Sequence, residues 1–144
     1  MIEIVAQPKS EVGAFVNARQ GLPESHSWGG YSALGLVKRG ELVAGVIYNN
    51  FDGANACMHI GAIEGCKWAT PEFLFAVFDY PFSQLKLRRV TAPVHSKNKR
   101  SMDFVRNLGF THDGILRNYY HDGDLNLFGM LRENCRFLEI RKAA

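Results

Sequence analysis

Two histidines stand where a proton could be taken up at neutral pH. His59 and His95 fall in separate strand-like runs, Ala54 to Ile63 and Arg89 to His95. An imidazole, with an unperturbed pKa of about 6.5, is a natural general base, although a strand histidine serves as readily as a hydrogen-bonded structural residue. Glu64 can relay a proton through a water or simply be solvated. Cys66 offers a nucleophile for a covalent intermediate, yet no histidine adjoins it in sequence to activate the thiol.

A second group of residues suits an anion. Thr70 as cap and Pro71 at the first helical position announce a helix start. The N–H groups of the turn leading into it, Lys67, Trp68, Ala69 and Thr70 on to Glu72, lie at the positive end of the helix dipole and make a seat for a phosphate; taken alone, the same turn reads as an ordinary cap. Asn98 precedes a second helix, where its amide can cap the helix or bond a ligand, and Ser101 follows one turn later. Lys97, Lys99 and Arg100 either screen phosphates or form a solvated face.

The elements that must position these residues follow from periodicity. Ile2 to Ala6 alternates as a strand, and Ser10 or Glu11 to Ala18 has helical character before the Gly21-Leu22-Pro23 break. Three strands follow, Ser32 to Lys38, Leu42 to Asn49 and Ala54 to Ile63, with turn glycines between them. Behind Thr70, the spacing of Leu74, Val77, Phe78, Phe82 and Leu85 predicts a helix with those residues inward, kinked at Pro81. Arg89 to His95 is a strand, Lys99 to Asn107 a short helix with Met102, Val105 and Leu108 inward, and Gly109 its terminator. Gly114 to Leu131 reads as two strands around His121-Asp122-Gly123-Asp124. A helical crossover makes the strand ending near Ile63 parallel to the one starting at Arg89.

The 144 residues, 47% apolar and 22% charged, are those of one mixed α/β domain spanning 1–144. A net charge of +3 is too small and scattered for a nucleic-acid surface, so an anionic small molecule is the expected partner. No apolar run approaches the roughly 20 residues that cross a bilayer, and no signal pattern opens the chain, which points to the cytoplasm. Three cysteines at irregular spacing indicate neither a disulfide framework nor a metal site.

The element order, together with Asn98-Lys99-Arg100-Ser101, Asn107-Leu108-Gly109-Phe110 and Gly114-Ile115-Leu116-Arg117, resembles the GNAT acetyltransferases, in particular the ribosomal-protein N-terminal acetyltransferase (RimJ/RimL) branch. Some small phage-encoded and bacterial GNAT relatives also look like this chain across Phe75 to Tyr80 and the final hairpin. The resemblance implies the GNAT fold, a central mixed and mostly antiparallel sheet with a splayed parallel pair, flanked by helices. It also implies acetyl-CoA as co-substrate, no metal, and direct transfer to a primary amine, either a protein N-terminus or a small molecule. The main-chain groups of Gly61, Ala62 and Ile63 would then grip the pantetheine arm, the N–H near Ala62 would polarise the thioester, and the Lys67–Glu72 turn would hold the pyrophosphate. The chain departs from the pattern at two points: that turn keeps a basic first residue but lacks both family glycines, and Val105 stands where many members place a general-acid tyrosine. These departures, with Glu72 near the expected pyrophosphate, favour as the competing expectation a non-catalytic CoA-binding or protein-interaction module. The terminal hairpin leaves a sheet edge on which a second copy could pair to give a homodimer.

Overall fold

The computed structural model describes residues 2–138. In chain order they form β1 (Ile2–Val5), α1 (Lys9–Arg19), β2 (Tyr31–Lys38), β3 (Glu41–Asn49), β4 (Asn55–Ala62), α2 (Pro71–Asp79), β5 (Arg89–His95), α3 (Lys99–Leu108), β6 (Thr111–Tyr120) and β7 (Gly123–Leu131). One seven-stranded sheet runs β1-β2-β3-β4-β5-β7-β6. Every neighbouring pair is antiparallel except β4 and β5. This is the predicted architecture, and no helix among the described residues is long and apolar enough to cross a membrane.

Local chemistry sets the helix ends. Thr70 Oγ1 accepts from the Phe73 N–H at 3.3 Å, and Asn98 Oδ1 from the Ser101 N–H at 3.1 Å. Gly109 ends α3 at φ 110°, a left-handed conformation that costs glycine little. The kink expected at Pro81 is a π-helical turn over Tyr80–Gln84, closed by the Leu85 N–H on the Tyr80 carbonyl at 3.0 Å. This wide turn shifts the helical phase, so Leu85 is not inward as expected but 39% exposed, and Leu87 takes the buried place at 3%. β6 begins at Thr111, before the expected Gly114, because a strand exposed along nearly its whole length has no buried face to mark it in the sequence.

The two sheet faces are covered differently. On one, α1 lies in a trough made by Gly35, Gly45 and Gly61, which are cross-strand neighbours on β2, β3 and β4. A β-carbon at Gly45 would sit 2.9 Å from Val16 Cγ2, and one at Gly61 would sit 3.1 Å from Val16 Cα, so the helix rests on main chain. On the other face α2 and α3 cover the main core, in which Val46, Tyr48, Phe73, Val77, Phe78, Phe110 and Phe128 are buried. Each such side chain contributes about 1.5–3 kcal/mol. The Tyr48 hydroxyl donates to the Val77 carbonyl at 2.6 Å, and burial raises its pKa well above the ordinary phenol value.

The parallel pair is short. β4 and β5 are in register only at Asn55/Arg89, Ala56/Val90 and Cys57/Thr91, after which the strands part. Proline explains where. The Arg89 N–H bonds the Ala54 carbonyl and the Ser96 N–H bonds the Asp124 carbonyl at the start of β7. Odd-numbered residues of β5 therefore turn their main-chain groups toward β4 and even-numbered ones toward β7. The next N–H that β5 should offer β4 after Thr91 belongs to position 93, which is Pro93 and has none.

Candidate active site

The gap opened by Pro93 is edged by β4. The Ile63 N–H donates to the Val43 carbonyl at 2.9 Å, and Gly61 pairs with Gly45, so Gly61 and Ile63 turn their main-chain groups toward β3. Ile60 and Ala62 face the gap instead. The expectation that Gly61, Ala62 and Ile63 all present main chain there is thus corrected by strand phase to Ile60 and Ala62. The missing side chain of Gly61 makes room for α1, not for a ligand. Two α1-end side chains reach the same edge: Gln20 Nε2 donates to the Ile60 carbonyl at 3.0 Å and Arg19 Nε to the Ala62 carbonyl at 3.1 Å.

The turn into α2 adjoins this edge. The Thr70 N–H is spent on the Trp68 carbonyl at 2.8 Å, the Phe73 N–H on the cap, and Pro71 has none. The N–H groups of Lys67, Trp68, Ala69 and Glu72 have no partner among the described residues. Lys38 Nζ donates to the Lys67 carbonyl at 2.6 Å and so brings a second cation to the turn. The Trp68 ring packs 5.1 Å from that of Phe104 on α3, and Arg100 Nη1 meets Glu64 Oε1 at 2.7 Å. That ion pair is exposed and contributes at most about 1 kcal/mol. The two contacts bring the Lys67–Thr70 turn and the start of α3, Asn98 to Ser101, to one end of the gap. Asn98 Oδ1 is the α3 cap, its Nδ2 has no partner among the described residues, and Ser101 is half-buried.

The two histidines differ. Burial first, and His26 second, lower the pKa of His59 to about 4, so its ring is neutral at physiological pH. Its Nε2 lies 2.9 Å from Asn49 Oδ1, and the Trp28 ring centroid is 4.8 Å away. Both ring nitrogens of His95 are engaged: Nδ1 accepts from the Lys97 N–H at 3.0 Å and Nε2 donates to Asp122 Oδ1 at 2.8 Å. The ring also stacks on Tyr120 at 4.4 Å, tying β5 to the terminal hairpin. The Asp122 carboxyl is held below its ordinary pKa, chiefly by the His95 hydrogen bond. Among the described residues no cluster of three or more His, Cys, Asp and Glu could hold a metal ion. A groove of about 990 Å³ lies between β1–β2 and α2, lined by Ile4, Leu34, Phe75 and Asp79 and reaching Pro71 and Glu72 at the start of α2.

Sequence reasoning misses Ile60, for the strand-phase reason above, and Lys38, Pro93, Asn49, Arg19 and Gln20. Pro93 is legible in principle, since a proline inside a central strand must face a place where no N–H is needed. Asn49, Arg19 and Gln20 carry no local signal, because their partners lie 10, 43 and 40 residues away.

No protein-family model matches the chain, and no curated protein matches it. Solved structures do. The N152L mutant of spermidine N-acetyltransferase SpeG from Vibrio cholerae superposes with a TM-score of 0.77 at 13% identity, over 97% of this chain and 98% of that one. A dodecameric structure of spermidine N-acetyltransferase from the same organism gives 0.75 at 14%, covering 92% and 94%. Ribosomal-protein-S5-alanine acetyltransferase from Vibrio fischeri gives 0.70 at 14%, covering 94% and 95%. At such identities the likeness speaks for architecture, and that architecture, splayed parallel pair included, is the GNAT acetyltransferase fold.

Proposed function

We propose that this protein is an N-acetyltransferase that moves the acetyl group of acetyl-CoA directly to a primary amine. The observation that carries the reading is the wedge between β4 and β5 beside the start of α2. An extended pantetheine arm resembles a strand, with amides able to pair along an open sheet edge. Ile60 and Ala62 supply that edge, and the Ala62 N–H is the donor for the thioester carbonyl. The unbonded N–H groups of Lys67, Trp68, Ala69 and Glu72, with the Lys38 and Lys67 ammonium groups, suit the pyrophosphate. The Asn98 Nδ2 and the Ser101 hydroxyl serve the arm from the α3 side.

Acetyl-CoA supplies an activated thioester. The amine lone pair forms the C–N bond, the C–S bond breaks, CoA leaves as its thiolate, and the nitrogen sheds one proton to water. Alignment in the wedge contributes roughly 7–11 kcal/mol, so a strong side-chain base is not required. His59 is the group that receives an amine N–H, while His95 holds the hairpin. The names of the solved neighbours, spermidine N-acetyltransferase and ribosomal-protein-S5-alanine acetyltransferase, support a nitrogen acceptor, and a protein N-terminus and a small amine are the two candidates. The exposed outer edge of β6 suits a homodimer, and the free thiols of Cys57 and Cys66 suit the cytoplasm.

Thermal denaturation with acetyl-CoA, followed by mass spectrometry of an N-terminal peptide and of spermidine after incubation, tests the reading. Ligand at roughly 100 times its dissociation constant stabilises by about 2.7 kcal/mol, and one acceptor gains about 42 Da, an acetyl group in place of a hydrogen. Stabilisation without acetylation, or no stabilisation, leaves the non-catalytic module.

A further inference from the structure

Asn49 closes β3 opposite Cys57, diagonal to His59, and is only 7% exposed. A buried amide needs partners for both ends, since an unmet polar group costs about 1–3 kcal/mol. Asn49 has them: Nδ2 donates to the Trp28 carbonyl at 3.1 Å, and Oδ1 faces His59 Nε2 at 2.9 Å. The Trp28 carbonyl can only accept, so it fixes which end of the amide is NH2 and which is oxygen. Oxygen toward His59 in turn requires that Nε2 carry the hydrogen. The lone pair of the neutral ring then sits on Nδ1, which has no partner among the described residues.

We propose that Asn49 is a positioning residue: by holding His59 as the Nε2–H tautomer, it leaves the Nδ1 lone pair to receive an N–H of the attacking amine. The inference rests on the acetyltransferase reading above. An imidazole without this partner divides between its two tautomers, and the Nδ1–H form offers the amine a donor where it needs an acceptor. The amide also couples the loop before β2 to β4, because the carbonyl that orients Asn49 belongs to Trp28, whose ring lies against His59. A merely structural asparagine would explain the Trp28 bond and leave the phase of the amide toward His59 without consequence.

The test compares wild type with Asn49→Asp and Asn49→Leu, with thermal melts confirming that each variant folds. Nitrogen NMR of the ligand-free protein should find the wild-type ring protonated on Nε2, and a ring protonated on Nδ1 overturns the proposal outright. Aspartate keeps an oxygen for Nε2–H but cannot donate to Trp28, and leucine keeps neither bond. Positioning predicts that leucine, which releases the tautomer and the ring orientation together, lowers kcat about tenfold or more with acetyl-CoA affinity unchanged, while aspartate retains most of kcat and moves the acid limb of its pH profile upward as the carboxylate favours imidazolium. A structural tie predicts the reverse order, since both variants lose Trp28 and aspartate adds a buried charge. Wild-type kcat in Asn49→Leu, or aspartate no better than leucine, sinks this proposal while the acetyltransferase reading stands. A wild-type protein that transfers no acetyl group sinks both.

Discussion

Gln20, the residue that follows the last turn of α1, spans the edge of the parallel pair to bond the Ile60 main chain, with Nε2 donating to the carbonyl at 3.0 Å. Arg19 does the same at Ala62, so the two carbonyls that a pantetheine amide would use are already accepting from the protein's own side chains. On the proposed reading, the α1 end thus stands in for the ligand. It can do so because the helix sinks into the glycine trough, close enough to the sheet for two consecutive side chains to reach β4.

On the proposed reading, acetyl-CoA must displace these two bonds or share the carbonyls with them. The Gln20 bond, between neutral groups, is worth about 0.5–1.5 kcal/mol, so Gln20→Ala should tighten acetyl-CoA binding roughly 2- to 12-fold. Arg19→Ala should act in the same direction. Isothermal titration measures this, and an unchanged or weakened affinity in both variants means that the side chains do not compete with the ligand.

Pro93 keeps the wedge open by withholding one N–H from β4. Pro93→Val restores that donor in a residue suited to strands, and the β4–β5 ladder should extend beyond Cys57/Thr91. The expected result is a backbone amide at position 93 that is protected in hydrogen exchange, and acetyl-CoA binding weakened by about tenfold, the equivalent of one bond of about 1.4 kcal/mol closing the edge. A variant that binds acetyl-CoA like wild type removes proline from the account of the gap.

His59 couples stability to pH. Its pKa falls from 6.5 to about 4 on folding, so between those values the unfolded chain holds the proton and the native state does not. The contribution is therefore full above about pH 6.5 and is lost as pH falls toward about 4, by about 1.4 kcal/mol per unit and on the order of 3 kcal/mol in all. Urea unfolding of wild type and His59→Gln across this window should converge at the acid end. Parallel curves would show that the ring is not held neutral.

Much of the fold is legible because its signals are local. The Thr70-Pro71 start, the Gly109 stop and the alternation of apolar residues in β2 to β4 each depend on near neighbours. Leu85 escapes its expected place because one proline turns a regular helix end into a π-helical turn and advances the phase. Gly61 misleads for another reason: a glycine tells that something comes close but not whether it is a helix or a ligand. Likewise, the expectation that Gly61, Ala62 and Ile63 all face the gap misses the alternation set by pairing with Val43 and Gly45 on β3, which turns Gly61 and Ile63 away and Ile60 toward it. Asn49 has the look of a residue at a strand end, and only tertiary structure reveals that its amide is committed at both ends.

The short seam between β4 and β5 gives the sheet a mechanical character. Strands β1 to β4 form one leaf and β5, β7 and β6 the other, stitched by Asn55–Cys57 against Arg89–Thr91 and braced by Trp68 on Phe104. From that seam, Met58 to Ala62 extend about 16 Å, so a tilt of about 5° between the leaves moves the far end by on the order of 1 Å. Substitutions in the aromatic core beneath α2 and α3, touching no ligand, would therefore be magnified into changes of grip at the mouth.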